Sequence, residues 1–410
     1  MPTDKIKLAI ASDLHYGEHV AGQCMPQTAQ NAHDDPMASL LEHIEQVRGT
    51  AEELSADFLL CPGDIADKAN SKGMRTGWGK LKELQAALGA RSLLAATGNH
   101  EVNSRPDAKY DVAGQVDETV DPMATLQALT DYPSPLLKGD SRWIYWGRGY
   151  EFIEQGDVIF LLINSSHFHG TTRPVEFERG KISDVAINLL RQELKRRVDP
   201  AGQKVYVALL HHHPVPHLPL DIPQDRIDMY NGPQLMEILE ETQVCWLVIH
   251  GHKHHGRLIA SQGAGAVVFA AGSFGAKLTG TLPVNTKLQF YVLEIEKCDQ
   301  SLIPSAQGRV RALSWSGTNW AETTERSGGI ANNCGFRLPN GDLRSLVQQL
   351  KTELDAGAQS YITWHEAVSL VPGLGNIWPA ETNSLRKVMA HLSINATWPE
   401  SQWLPTNVSV

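Results

Sequence analysis

Short apolar runs recur along the first 300 residues, and most stop at a cluster of glycine and polar residues. Lys7–Ser12, Phe58–Leu60, Leu93–Ala96, Val158–Ile163, Val205–Leu210 and Trp246–Ile249 read as buried strands. Between them lie amphipathic segments. Met37–Leu54 places Leu40, Leu41, Ile44, Val47 and Leu54 on one helical face, and Gly79–Leu88, Ser183–Val198 and Pro233–Thr242 read as further helices. Val267–Ala271 and Leu288–Ile295 read as closing strands. The residues from Tyr16 to Pro36 read as a loop, and Asn103–Tyr150 as a polar insertion that shapes a substrate pocket, with a helix near Met123–Leu129. Strand alternating with helix predicts a layered α/β fold in which one crevice gathers the loops at the strands' carboxyl ends.

Length adds a division to this picture. At 410 residues the chain exceeds one average domain and suits a catalytic domain, 1–304, with an appendage, 305–410. Net charge is −10, which disfavours a dedicated nucleic-acid or membrane-surface binder. The five cysteines (Cys24, Cys61, Cys245, Cys298 and Cys334) are scattered, as expected of reduced thiols in a cytoplasmic protein. Met1-Pro2-Thr3-Asp4 leads into the first strand with no basic-then-apolar leader, and no apolar run approaches the ~20 residues that span a bilayer.

Five strands end in side chains suited to metal ligation. Asp13 and His15 are two apart in extended chain and point the same way. The Pro62-Gly63 turn sets Asp64 at a strand's carboxyl end, where its two oxygens can bridge two cations, and Asp67 can point back to the same crevice. Thr97-Gly98-Asn99-His100-Glu101, His211-His212-His213-Pro214 and His250-Gly251-His252-Lys253-His254-His255 follow the next strands. Alone, each is an ordinary polar turn; five at successive strand ends point to a metal crevice. Mixed nitrogen and oxygen donors suit manganese, iron, zinc or cobalt and disfavour calcium.

Asp13-x-His15, Gly63-Asp64-x-x-Asp67, Gly98-Asn99-His100-Glu101, His211-His212 and Gly251-His252-x-His254 resemble the five blocks of the calcineurin-like metallophosphoesterase superfamily, in that family's order, over roughly residues 7–256. The resemblance implies a four-layer α/β/β/α sandwich around two metal ions. One ion is then held by Asp13, His15, Asp64 and His254, the other by Asp64, Asn99, His211 and His252, with Asp64 as the bridge. It further implies that a hydroxide between the metals attacks phosphorus, that His100 stabilises the transition state or protonates the leaving oxygen, and that Asp67 holds the His100 tautomer. Elementary electrostatics agrees: two cations about 3.5–4 Å apart need an anion between them. Two dications, two carboxylates and one hydroxide leave a net charge that complements a phosphodiester. The roles of His212, His213, His250 and His255 stay open.

His-His-His-Pro-x-Pro and Gly-His-x-His-His are most similar to bacterial cyclic-nucleotide and glycerophosphodiester-type phosphodiesterases. The expectation is therefore a dinuclear phosphodiesterase, with cyclic nucleotides among its substrates. Lys68 stands where the protein phosphatases of this superfamily carry arginine, which disfavours a protein phosphatase; a phosphomonoesterase or protein phosphatase stays as an alternative. A DNA or RNA nuclease uses the same five blocks and is the other alternative, disfavoured by net charge.

From about Ser305 the composition changes. Six of the ten tryptophans (Trp315, Trp320, Trp364, Trp378, Trp398 and Trp403) fall in the last 106 residues. Leu343–Leu354, Thr363–Val371 and Ser384–Leu392 read as helices. The expectation is a small, mostly helical module that docks on the catalytic domain or forms a subunit or partner interface. Arg386 and Lys387 supply too little charge for a helix-turn-helix reading of this segment.

Overall fold

The computed structural model describes residues 5–17, 35–102, 122–169, 179–200, 204–216, 228–261, 265–276, 278, 286–296, 305–322, 329–338, 342–357 and 361–410. Most of the expected loop between Tyr16 and Pro36, the first part of the insertion, Cys24 and Cys298 lie outside the described residues.

Strands β1 (Ile6–Ile10), β2 (Phe58–Cys61) and β3 (Ser92–Ala95) are parallel neighbours, linked by helices α1 (Pro36–Val47) and α2 (Ser71–Ala87). Asp35 caps α1 by accepting the Met37 N–H at 2.9 Å, and Pro36 supplies a first helical residue that needs no hydrogen bond. Helix α1 stops at Val47, short of the expected Leu54, because the chain turns at Gly49 with φ +72°. Helix α2 begins well before the expected Gly79: Asn70 caps it by accepting the Gly73 N–H at 2.6 Å. Three glycines in its first turns had obscured the helical pattern.

The insertion contributes α3 (Pro122–Ala128), α4 (Asp140–Arg148) and β4 (Tyr150–Gln155). Beyond it come β5 (Val158–Ile163), α5 (Asp184–Arg197), β6 (Val205–Leu209), α6 (Gly232–Glu240), β7 (Trp246–His250), β8 (Arg257–Ala260) and β9 (Ala266–Ala270). Their sheet runs β4-β5-β6-β7-β9-β8, parallel in the middle and antiparallel at both edges. The period of two explains its burial on both faces. Phe160 and Leu162 of β5 join the core shared with the first sheet, whereas Ile159, Leu161 and Ile163 join a second core with Leu190 and Leu194 of α5 and Leu235 and Leu239 of α6. Phe58 meets Phe160 edge to face at 4.9 Å across the sheets. The result is the expected α/β/β/α sandwich.

Strand β10 (Gln289–Glu296) runs antiparallel to β1, and β11 (Ala306–Trp315), β12 (Trp320–Glu322) and β13 (Cys334–Leu338) extend the same seven-stranded sheet. The expected division at 304/305 therefore does not fall at a gap, and 305–410 is not mostly helical at its start. Strand β11 pairs with β10 over eight residue pairs. Arg309 and Arg311 take the outward positions of its alternation, and small Gly308 and Ala312 among the inward ones leave only a weak apolar pattern.

Helices α7 (Leu343–Ala356), α8 (Trp364–Leu370) and α9 (Thr382–His391) follow, with a small sheet of β14 (Tyr361–Thr363), β15 (Asn395–Thr397) and β16 (Asn407–Ser409). Trp320, Trp364, Trp378 and Trp403 are buried in the core of the first sheet. The Arg386 guanidinium lies over the Trp398 ring at 4.4 Å. Among the described residues no helix is long and apolar enough to cross a membrane.

Candidate metal centre

The loops after β1 and β2 are joined backbone to backbone. Asp13 N–H donates to the Gly63 carbonyl at 3.0 Å, His15 N–H to that of Asp64 at 3.0 Å, and Tyr16 N–H to that of Ile65 at 2.8 Å. This lateral pairing carries Asp13, His15 and Asp64 to one place at the carboxyl ends of the strands. Five of the seven expected ligands (Asp13, His15, Asp64, His252 and His254) have φ between +52° and +78°. Such left-handed conformations cost about 1–2 kcal/mol per residue outside glycine, and short polar side chains tolerate them best. The strain turns consecutive side chains inward.

Asp13, His15, Asp64 and His254 converge as expected, each offering one donor atom within 4.8 Å of the others. His15 Nε2 lies 3.2 Å from His254 Nε2 and 3.7 Å from Asp64 Oδ2, and His254 Nε2 lies 3.3 Å from Asp13 Oδ1. The second expected set also comes together. His211 Nε2 is 3.0 Å from Asn99 Oδ1 and 3.2 Å from Asp64 Oδ2, and His252 Nδ1 is 3.0 Å from the same asparagine oxygen. Asp64 thus touches both sets. His211 Nδ1 donates to the Pro62 carbonyl at 2.9 Å, which orients the ring and turns Nε2 toward two oxygens. Imidazole nitrogens, carboxylate oxygens and an amide oxygen gathered this closely form a mixed nitrogen and oxygen donor set that fits two metal ions.

Electrostatics shows the same mutual dependence. Burial alone would raise the Asp64 carboxyl, but the His211 and His100 rings outweigh it and hold Asp64 well below the usual carboxylate range. Burial lowers His211, yet the Asp64 charge beside it wins and raises the ring to about 9. Burial lowers His15 and lowers His252 well below the ordinary imidazole value.

His100 stands at the rim, with Nδ1 2.9 Å from Asp67 Oδ1, as expected for an oriented imidazole. The same Asp67 oxygen lies 3.5 Å from His15 Nδ1. Burial would lower His100, but the charges of Asp64 and Asp67 raise it on balance. Glycine is required where the blocks close on one another: a Cβ on Gly98 would come within 2.2 Å of Asp64 Oδ1, and one on Gly251 within 2.5 Å of Asp13 Oδ2.

Three residues acquire roles that the sequence reading missed. The Glu101 carboxylate accepts N–H groups from Gly98 at 2.6 Å, Asp64 at 2.8 Å and Ala66 at 2.9 Å, fixing the turn beneath the bridging residue. Burial and the Asp64 charge raise its carboxyl to about 7 against these three donors. Ser12 Oγ donates to Asp13 Oδ2 at 2.5 Å. Ser165 Oγ sits 2.9 Å from His212 Nδ1. Glu101 lies within a quoted block; Ser12 and Ser165 carried no pattern beyond standing next to strand ends. Of the histidines left open, His212, His213 and His250 are buried, and His255 receives a contact from Arg257 Nε at 3.4 Å.

A family model described as calcineurin-like phosphoesterase matches residues 6–256. No curated protein sequence matches the chain. Among solved structures, a dimetal phosphatase from Danio rerio is similar over 77% of this chain and 98% of its own, at 14% identity and a TM-score of 0.46. A purple acid phosphatase from yellow lupin (Lupinus luteus) seeds is similar over 75% of this chain and 52% of its own, at 14% identity and a TM-score of 0.47. A structure of PhoD is similar over 80% of this chain and 73% of its own, at 10% identity and a TM-score of 0.44.

Proposed function

The chain belongs to the calcineurin-like phosphoesterase family, and within that family of hydrolases we propose that it is a dinuclear metal-dependent phosphodiesterase. The observation that carries this reading is the oriented His100–Asp67 pair at 2.9 Å, set beside two converging donor sets that share Asp64. Asp13, His15, Asp64 and His254 would hold one ion, and Asp64, Asn99, His211 and His252 the other. Two such ions lower the pKa of a water shared between them and take up charge on the phosphoryl oxygens. An alkoxide leaving a diester is a poor leaving group, so a proton donor lowers the barrier. Asp67 holds the Nδ1 proton of His100, and the ring delivers a proton from Nε2 to the departing oxygen. Its raised pKa suits that donor role.

Charge supports the diester over a monoester. None of the five blocks contains an arginine; Lys253 is the one lysine within them, and Lys68 directly follows the second. A dianionic monoester is best served by bidentate guanidinium groups. Manganese and iron suit the donor set, and cyclic nucleotides are natural candidates among the substrates. The three described cysteines, Cys61, Cys245 and Cys334, are buried thiols, which supports a reducing, cytoplasmic setting.

The test is hydrolysis of bis-p-nitrophenyl phosphate, p-nitrophenyl phosphate, cyclic nucleotides and single- and double-stranded DNA, with Mn²⁺, Fe²⁺, Zn²⁺ or Co²⁺ added. Diester cleavage that outpaces monoester cleavage at least tenfold and stops on chelation is expected. Faster monoester cleavage would move the reading to a phosphomonoesterase, and DNA degradation would move it to a nuclease.

A further inference from the structure

His212 follows the expected ligand His211, yet its environment differs. Its ring is fully buried and leans on His252 at 4.5 Å and His211 at 4.9 Å between centroids. The three residues each offer a ring nitrogen within 4.8 Å of the others. His169 covers another side at 5.0 Å. Above it passes the backbone at Gly180, where any Cβ would come within 2.4 Å of the imidazole. The ring is therefore clamped in one orientation. Its Nε2 has no hydrogen-bond partner among the described residues. A buried polar atom without a partner costs free energy unless something binds it.

Ser165 decides which kind of partner that is. Its Oγ accepts the backbone N–H of His212 at 3.1 Å. The hydroxyl proton then has one acceptor among the described residues, His212 Nδ1 at 2.9 Å. A hydroxyl that donates to Nδ1 leaves the ring proton on Nε2. In that arrangement Nε2 carries the N–H, on a ring packed against His211 and His252, and a protonated nitrogen cannot ligate a metal.

We propose that His212 is an additional catalytic residue, whose Nε2–H donates a hydrogen bond to a non-bridging oxygen of the reacting phosphoryl group, with Ser165 as the positioning residue that fixes its tautomer. This rests on the phosphoesterase reading above and assigns that site a donor distinct from His100. A fixed, dehydrated donor stabilises the charge that builds on phosphoryl oxygens without reorganising during the reaction. Water would donate equally well in solution, but it must reorient, whereas this ring is held in place.

The experiment compares the full chain with His212→Phe, His212→Gln and Ser165→Ala. It measures kcat/KM on bis-p-nitrophenyl phosphate, metal content by mass spectrometry, and binding of inorganic phosphate by calorimetry. His212→Phe keeps the buried ring but loses the donor; it is expected to retain two metals while losing about 10²–10³-fold in kcat/KM and weakening phosphate binding. His212→Gln offers an amide N–H near the Nε2 position and is expected to recover at least tenfold of that loss. Ser165→Ala, which lets the tautomer relax, is expected to fall between wild type and His212→Phe with its metals intact. Loss of a metal in His212→Phe would make His212 a ligand and overturn the proposal. Rates within twofold of wild type in His212→Phe or in Ser165→Ala would overturn it too, as would failure of glutamine to rescue. If the wild type hydrolyses no phosphoester, the phosphoesterase reading fails by itself. The donor role is then judged on phosphate affinity, where equal binding by wild type and His212→Phe refutes it.

Discussion

At the scale of single residues, the His100–Asp67 pair separates proton transfer from metal holding. His100 contributes no atom to the two proposed ligand sets, so His100→Ala is expected to retain its metals and lose roughly 10²–10⁴-fold in rate. Asp67→Asn acts chiefly through the His100 ring, with a longer contact to His15, and is expected to lose less. Comparing an ester of p-nitrophenol with an alkyl ester gives the sharper reading. A proton donor matters less when the leaving group departs unaided, so equal losses on both substrates would assign His100 to charge stabilisation instead. Donor types and their places after strands were legible in the sequence because they are local properties; the assignment of seven ligands and of the His100–Asp67 roles came with the family resemblance. The parts played by Glu101 and Ser165 were not legible. Each acts on backbone or side-chain atoms far along the chain, Glu101 on Asp64 and Ala66 and Ser165 on His212, and such pairings exist only once the strands are side by side.

At the scale of elements, α2 shows why a helix with poor propensity is retained. A Cβ on Gly73 would come within 2.0 Å of the Tyr16 carbonyl, and one on Gly77 within 2.6 Å of Ile65 Cγ2. The helix therefore packs directly on the two loops that carry Asp13, His15 and Asp64. Gly79, on the same helix, has open space around it. Gly79→Ala is expected to stabilise the protein by up to about 1 kcal/mol through helix propensity. Gly73→Ala is expected to destabilise it by about 1–3 kcal/mol through overpacking and to weaken metal retention as well. Chemical denaturation and metal content of the two variants check this, and equal effects would remove the packing argument. The glycines that misled the sequence reading about the start of α2 are thus the residues that let it approach the centre. The same helix is tied to the insertion by Asp131, which accepts from Trp78 Nε1 at 2.8 Å and Lys82 Nζ at 3.1 Å. Burial would raise the Asp131 carboxyl, but these two donors lower it below its ordinary value of 3.8. A carboxyl with a depressed folded pKa stabilises the fold above the unfolded pKa, and that contribution is lost as pH falls through the folded pKa. About a third of the side chain is exposed, so solvent screening limits the effect. Asp131→Asn is expected to cost about 0.5–1 kcal/mol at pH 7. The gap from wild type should close as denaturation is followed below pH 4, and a gap that widened in acid would contradict the assignment.

At the scale of the whole molecule, the last third of the chain completes the first sheet before it forms anything of its own. Strand β11 covers the full length of β10, and β12 and β13 pair with β11 in turn. The C-terminal helices then pack on that assembly. Val347 and Leu350 of α7, Trp364 of α8, Leu385 and Met389 of α9, and Trp378 and Trp403 all belong to one core with Leu8, Phe58 and Phe290. Polar ties join the C-terminal segments to β13 and the turn before it: Arg337 forms a two-pronged ion pair with Glu381, with both contacts at 2.7 Å, while Trp378 Nε1 donates to the Arg337 carbonyl at 3.1 Å and Trp403 Nε1 to that of Asn332 at 3.3 Å. Composition alone had placed a boundary near Ser305, because tryptophan density changes there. A change in composition marks where aromatic packing begins and says nothing about which sheet the packing rests on. These contacts set the expected behaviour of truncations. A chain ending at 304 exposes the whole hydrogen-bonding edge of β10 and the apolar face beneath β11, and an unprotected edge of that length invites aggregation. It is expected to show no cooperative unfolding transition and to hold no metals. A chain ending at 341 keeps the seven-stranded sheet but uncovers Phe336, and it is expected to fold with a lower Tm while retaining its metals. The full chain is expected to unfold in a single transition, since one core spans both parts. Calorimetry and metal analysis of the three proteins decide the matter: a 1–304 fragment that unfolded cooperatively and bound two metals would make residues 305–410 a separable appendage after all.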